Sequence, residues 1–347
     1  MGNLNLGKKY ISFKDNLRHS KYAKENYLFS FKKDPIANFL ISKLKMSPLK
    51  GIIVALLFTI IVYAAGFLFL LITDKHVVGI TRTYLDIIYD IVSIPTVVGF
   101  YIWMSTVPSY TMLKISQIHK NFDESLEIRE TISHLLKKIN NKIIFILGFI
   151  IAFLLGTNCI IRMISKLGSV TDNSVNHHFF YFVKVPILWF FSWYMAVVIA
   201  IKISIFISIL RKVLLKIISG FDEISIKNLR IIKPVKDFLK NFTYFLTASG
   251  IALIILVVRG YKYGYLNNKL IIYAGITAYT IISVIVFFSP IHPFYTIISK
   301  IKNYKFEKKN FFRIEILLKI LSPDLLRNFL LSCCLPPIFL LFFLIVG

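Results

Sequence analysis

Phe329 to Val346 reads FLLSCCLPPIFLLFFLIV and carries no charged side chain. A helix needs about 20 apolar residues to cross the hydrocarbon core of a bilayer. This run is just long enough, so the chain is expected to end inside or just across a membrane. A basic, amphipathic approach leads into it, and six similar apolar runs precede it. Working outward from the last run, the chain reads as an all-α, polytopic membrane protein.

Composition points the same way. Of 347 residues, 56% are hydrophobic and 17% charged, and the mean hydropathy is +0.71. Soluble domains are about 45–50% apolar and about 25% charged. The 32 Phe suit lipid-facing helices, and the 18 Tyr and 3 Trp suit the headgroup level. The net charge is +25, from 42 Lys+Arg against 17 Asp+Glu. These basic residues flank the apolar runs, which is the pattern of loops facing an anionic inner leaflet. No zinc-finger or RNA-binding signature accompanies them, so the expected partner is the lipid bilayer and not nucleic acid. Three cysteines, Cys159, Cys333 and Cys334, make no disulfide framework. The adjacent pair reads as small apolar packing residues. The first apolar run begins near Gly51, too late for a cleavable signal peptide. Leu6 stands where N-myristoylation would need Ser or Thr.

The spans are expected at about 51–72, 85–112, 143–164, 185–210, 242–258, 270–288 and 329–346, seven in all. Pro95 and Pro108 within the second are expected to bend it rather than stop it, because neighbouring helices and water can satisfy the freed backbone groups. The long linkers 114–142, 211–241 and 294–327, with residues 1–49, hold nearly all the Lys and Arg. The short linkers 74–84, 165–184 and 259–269 alternate with them. Basic loops stay inside, which places the N-terminus inside and the C-terminus outside a cell membrane. The chain thus divides into a basic cytoplasmic N-terminal arm, 1–49, and a seven-helix membrane domain, 50–347, with cytoplasmic helical extensions. Asp34-Pro35 opens a short amphipathic piece in the arm, carried by Ile36, Phe39, Leu40 and Leu44. It reads as lying on the inner leaflet, or as a partner-binding or gating element.

No motif of catalysis emerges. None of the seven histidines forms H-E-x-x-H, and there is no Walker loop, G-x-S-x-G or C-x-x-C. No enzyme activity, cofactor or metal is expected. The polar residues within spans are then the candidate sites. Asp86 and Asp90, four apart, share one face of the second helix near its outer end. They read as an interfacial pair within reach of water, or as an outer vestibule that concentrates cations. Lys202 interrupts the fourth helix about nine residues, or about 13 Å, before Arg211. Its stem is expected to snorkel toward the interface, with an internal contact to an anion or lipid headgroup as the alternative. Asn158, Thr277, Thr280 and Ser283 are mid-membrane polar residues suited to helix–helix hydrogen bonds or a transport site. Pro290, His292 and Pro293 end the sixth helix as a terminator or hinge.

The layout resembles the insect chemoreceptor-like superfamily of seven-helix channels, which includes gustatory-receptor-like proteins. Three features carry the resemblance. They are the orientation, the helical pattern of the three inner linkers, and a last element split into Phe311 to Leu326 and Phe329 to Val346. The Thr-Tyr and Gln-Phe pairs of insect members are absent from the last helix. The resemblance implies a homo-oligomer, a tetramer in that family, whose last helix lines a ligand-gated cation pore. Ser332, Cys333, Cys334, Pro336 and Pro337 become the pore-lining or gate candidates, and the ligand stays unassigned. Two alternatives stand beside this channel or receptor reading. One is a transporter or lipid-handling protein with a mid-membrane cavity. The other is a membrane scaffold with a basic cytoplasmic interaction surface.

Overall fold

A computed structural model describes residues 34–72, 80–118, 138–139, 141–167, 188–219, 232–262, 269–294 and 321–346. Nearly all of these are helical, and none is in a strand. The short helix α1 spans Pro35–Asn38 and runs into a π-helical turn, Phe39–Lys43. Then come α2 (Pro48–Ile72), α3 (Ile80–Ile118), α4 (Lys142–Leu167) and α5 (Phe190–Ser219). The remainder is α6 (Ile232–Lys262), α7 (Lys269–Phe288) and α8 (Pro323–Val346).

Four helices are long and apolar enough to cross a membrane: Pro48–Leu68, Tyr84–Met112, Phe190–Lys216 and Ile232–Val258. Shorter apolar helices cover Lys142–Asn158 and Ile276–Phe288. Large apolar side chains face outward, among them Ile61, Phe153, Leu154, Ile282 and Ile338. Charged groups are buried instead, including Asp34, Asp90 and Lys202. Apolar outside and ionisable inside is the arrangement of a protein embedded in lipid.

Several expected boundaries shift outward. The basic linker 211–241 is partly absorbed, because α5 continues to Ser219 and α6 starts at Ile232. The linker 114–142 likewise gives up its first residues to α3, which runs to Ile118. Apolar spacing in those stretches already continues the helical period, so no chain break is needed at the bilayer edge. The amphipathic stretch Phe311 to Ile320 lies outside the described residues, as do residues 1–33 and His177. α3 runs unbroken through Pro95 and Pro108, at about 58 Å far longer than the apolar core of a bilayer.

α3 is the central element, packed on α2, α5 and α6. α4 leans on α5, and α8 on α6 and α7. Without a hydrophobic drive between helices in lipid, close packing of small residues does the work. A Cβ added at Gly99 would collide with Ile52 on α2 and lie 3.4 Å from the Pro48 carbonyl. Gly99→Val is therefore expected to force α2 off α3 and cost about 1–3 kcal/mol. Thermal unfolding in detergent measures this, and an unchanged midpoint would show that the α2–α3 contact carries no stability.

Candidate functional site

The site begins with a helix start. Asp34 has extended backbone, and its carboxylate Oδ1 accepts from the Ala37 amide at 3.1 Å. Pro35 holds the first helical position, where its missing N–H costs nothing. The sequence Asp-Pro thus caps α1 by itself. The chain leaves the π turn through Lys45, at a φ of 50°. Ser47 then caps α2, its Oγ accepting from the Lys50 amide at 3.3 Å.

One face of this turn enters the bundle, while Phe39 and Leu44 on the other stay exposed. Ala37 and Ile41 are part of the main core, and Asp34 is completely buried. Of the amphipathic set expected here, Phe39 and Leu44 stay uncovered, Ile36 and Leu40 pack against the core, and Asp34 finds its partners inside. Lys202 of α5 donates from Nζ to Asp34 Oδ2 at 3.0 Å, with side-chain exposures of 1% and 0%. Tyr101 of α3 donates its hydroxyl to Asp34 Oδ1 at 2.5 Å. Lys202 also donates to Ser105 Oγ at 3.2 Å, one turn along α3 from Tyr101. The ammonium lies 5.3 Å from the Tyr101 ring centre and 5.2 Å from that of Phe145 on α4. The Tyr194 ring packs beside Tyr101.

The snorkelling expected of Lys202 is thereby corrected. Its alternative, an internal contact with an anion, is what the geometry presents, and the anion belongs to the chain's own N-terminal segment. Taking both charges out of water is costly, so the pair holds only because the remaining donors are also satisfied. Chemically the site is a two-oxygen carboxylate cradle. One oxygen takes the Tyr101 hydroxyl and the Ala37 amide, and the other takes the ammonium.

The acidic pair on α3 also differs from expectation. Asp86 and Asp90 are 6% and 0% exposed, so both are enclosed by the chain. Asp90 accepts from the Tyr63 hydroxyl of α2 at 2.5 Å and from Trp189 Nε1 at 3.1 Å. The tryptophan expected in an interfacial belt thus uses its N–H inside the protein. A carboxylate four residues from another reads as a surface pair, and only the approach of α2 and of Trp189 encloses it.

A third polar group joins α6, α7 and α8. Ser332 Oγ lies 2.5 Å from Thr247 Oγ1 and 2.6 Å from the Asn328 carbonyl. Tyr279 donates to the Leu246 carbonyl at 2.7 Å and sits 3.4 Å from the Ser332 carbonyl. Pro336 has no N–H to offer that carbonyl. Gly250 leaves the room, since a Cβ there would stand 3.0 Å from the Tyr279 hydroxyl. Of the pore candidates, Ser332, Cys333 and Pro336 are buried within the chain, Pro337 is half-buried, and Cys334 is exposed. Ser283 is buried, whereas Asn158 and Thr277 are exposed. Thr280 bonds its own helix at the Ile276 carbonyl, 2.9 Å away, rather than a neighbouring one. Pro290 and Pro293 are buried and His292 exposed, in a turn that follows α7 and seats Ile291 and Phe294 in the core.

Asp34, Tyr101 and Ser105 are the site residues that reading the sequence missed. A buried lysine in an apolar span does demand an anion, but seventeen acids compete for that role. The local signal was the Asp-Pro helix start, which marks a turn without saying where it docks. Compared with family models, curated proteins and solved structures, the chain finds no match.

Proposed function

We propose that the protein is an integral membrane protein with seven crossings, N-terminus inside and C-terminus outside, that works as a homo-oligomer of the channel or receptor type. The observation that carries this reading is the one-sided packing of α8. Ser332, Cys333 and Pro336 are buried on the side that meets α6 and α7, while Leu330, Leu331, Cys334, Ile338 and Phe339 are uncovered. An uncovered face on the last helix is what further copies would meet if their last helices gathered around an axis. Pro336 and Pro337 free two carbonyls within α8 and supply a bending point. The uncovered side chains are mostly apolar, so a pore built from them would close by dewetting. The resemblance to the chemoreceptor-like superfamily supports a tetramer, a cation as the permeant species and a cell-membrane location. This reading assigns no reaction to the chain.

The test uses Cys334 as the single cysteine, in a Cys159→Ser, Cys333→Ser background. Oxidation in membranes is expected to give a disulfide-linked dimer band, and single-particle imaging a four-fold assembly with α8 near the axis. A monomer, or α8 on the lipid-facing rim of an assembly, would overturn the reading.

The buried Asp34–Lys202 pair favours a second reading, a transporter, because ionisable groups inside membrane bundles mark substrate and proton paths. That reading expects a working monomer whose transport fails when Lys202 is replaced.

A further inference from the structure

We propose that Tyr101, Ser105 and Lys202 form a carboxylate-binding site that Asp34 occupies as a tethered ligand, and that a small free monocarboxylate takes the site when Asp34 leaves.

Three features support it. The two side-chain donors, Tyr101 and Lys202, belong to long helices of the bundle, with Ser105 accepting from Lys202, whereas the carboxylate and its capping Ala37 amide arrive together on a short segment. Tyr101 and Ser105 lie on α3 and Lys202 on α5, while Asp34 precedes a four-residue helix that enters the core through Ala37 and Ile41 ahead of α2. The recognition is also two-pronged. The Tyr101 hydroxyl and the Lys202 ammonium address different oxygens of the same carboxylate. A planar two-oxygen anion satisfies both, and a spherical halide satisfies one well. Finally, the site cannot stay empty at low cost. With Asp34 withdrawn, a lysine 1% exposed, ringed by Phe145 and Tyr101, would lose its counter-ion.

Tethering explains why the chain's own carboxylate is the resident. A short link gives Asp34 an effective concentration of about millimolar or more, so a free carboxylate must outcompete it or wait for the segment to withdraw. The N-terminal segment then behaves as a built-in competitor for the site. This inference rests on the cradle alone and stands whether the protein is a monomer or an oligomer.

The experiment is rescue of Asp34→Ala by formate and acetate. Full-length protein in detergent is melted with sodium formate, sodium acetate or sodium chloride at matched ionic strength. The expected result is a saturable rise in melting temperature with formate, smaller with acetate and smallest with chloride. Wild type and the double variant Asp34→Ala, Lys202→Met are expected to show no such difference between salts. If Asp34→Ala is recovered only when formate is present during purification, that dependence is itself the expected result. Equal response to all three salts, an equal formate effect in the double variant, or no recovery with formate would each overturn the proposal.

Discussion

Lys202→Met is expected to destabilise the folded protein by about 3–5 kcal/mol, the cost of stranding one member of a buried ion pair. The stranded group is Asp34, which is fully buried and would keep the Tyr101 hydroxyl and its own capping amide but lose its cation. Asp34→Ala is expected to cost a similar amount, because it strands Lys202 and also removes the cap on α1. The double variant Asp34→Ala, Lys202→Met is expected to lie much closer to wild type than the sum of the two losses. Replacing a buried pair with apolar groups is often neutral or stabilising. Chemical unfolding of the three variants in detergent closes this double-mutant cycle. Strict additivity would mean that the two side chains do not meet.

Trp103→Ala is expected to cost about 3–5 kcal/mol, as truncation of the largest core aromatics does. Trp103 is 1% exposed on α3, the helix that touches most of the bundle. Its ring stacks on Phe238 of α6 at 5.3 Å and packs against Phe245 at 5.4 Å. Phe100, one turn back, stacks on Phe245 at 4.6 Å. In lipid the drive to close this interface is dispersion and shape, not escape from water, so an unfilled ring volume is lost contact with nothing to replace it. Trp103→Phe is expected to lose far less, because Nε1 of Trp103 has no hydrogen-bond partner among the described residues. Denaturant midpoints of the two variants check this. Equal losses would assign the indole N–H a role that the packing does not.

Much of the architecture was legible from local pattern. An apolar run such as Gly51 to Ile72 has one solution in lipid, a helix whose backbone bonds are all internal, and α2 covers that run. Pro95 and Pro108 do not stop α3, as expected. The Asp34-Pro35 start was readable too, since capping is settled by two neighbouring residues. Element ends were less so. Ile232 to Asn241 keeps a helical period while its charges suggest a linker, and period outlasted charge when α6 formed.

Which polar groups meet was beyond local pattern. Asp34 and Lys202 are 168 residues apart, and Tyr63 and Asp90 belong to different helices. A lysine near the end of a span has two ways to escape lipid, outward to water or inward to an anion. Spacing along one helix pointed to the outward route, and the packing took the inward one. Asp86 and Asp90 pose the same ambiguity, since two carboxylates on one face are as compatible with a wet rim as with an enclosed site. By itself the sequence determined an all-helical chain with apolar runs suited to a membrane, because backbone satisfaction and hydropathy are local properties. The tertiary structure alone decided that Asp34, Ala37 and Ile41 enter the bundle and that Lys202, Asp86 and Asp90 are buried. Partner choice among distant charges depends on how helices pack, and that is a property of the whole chain.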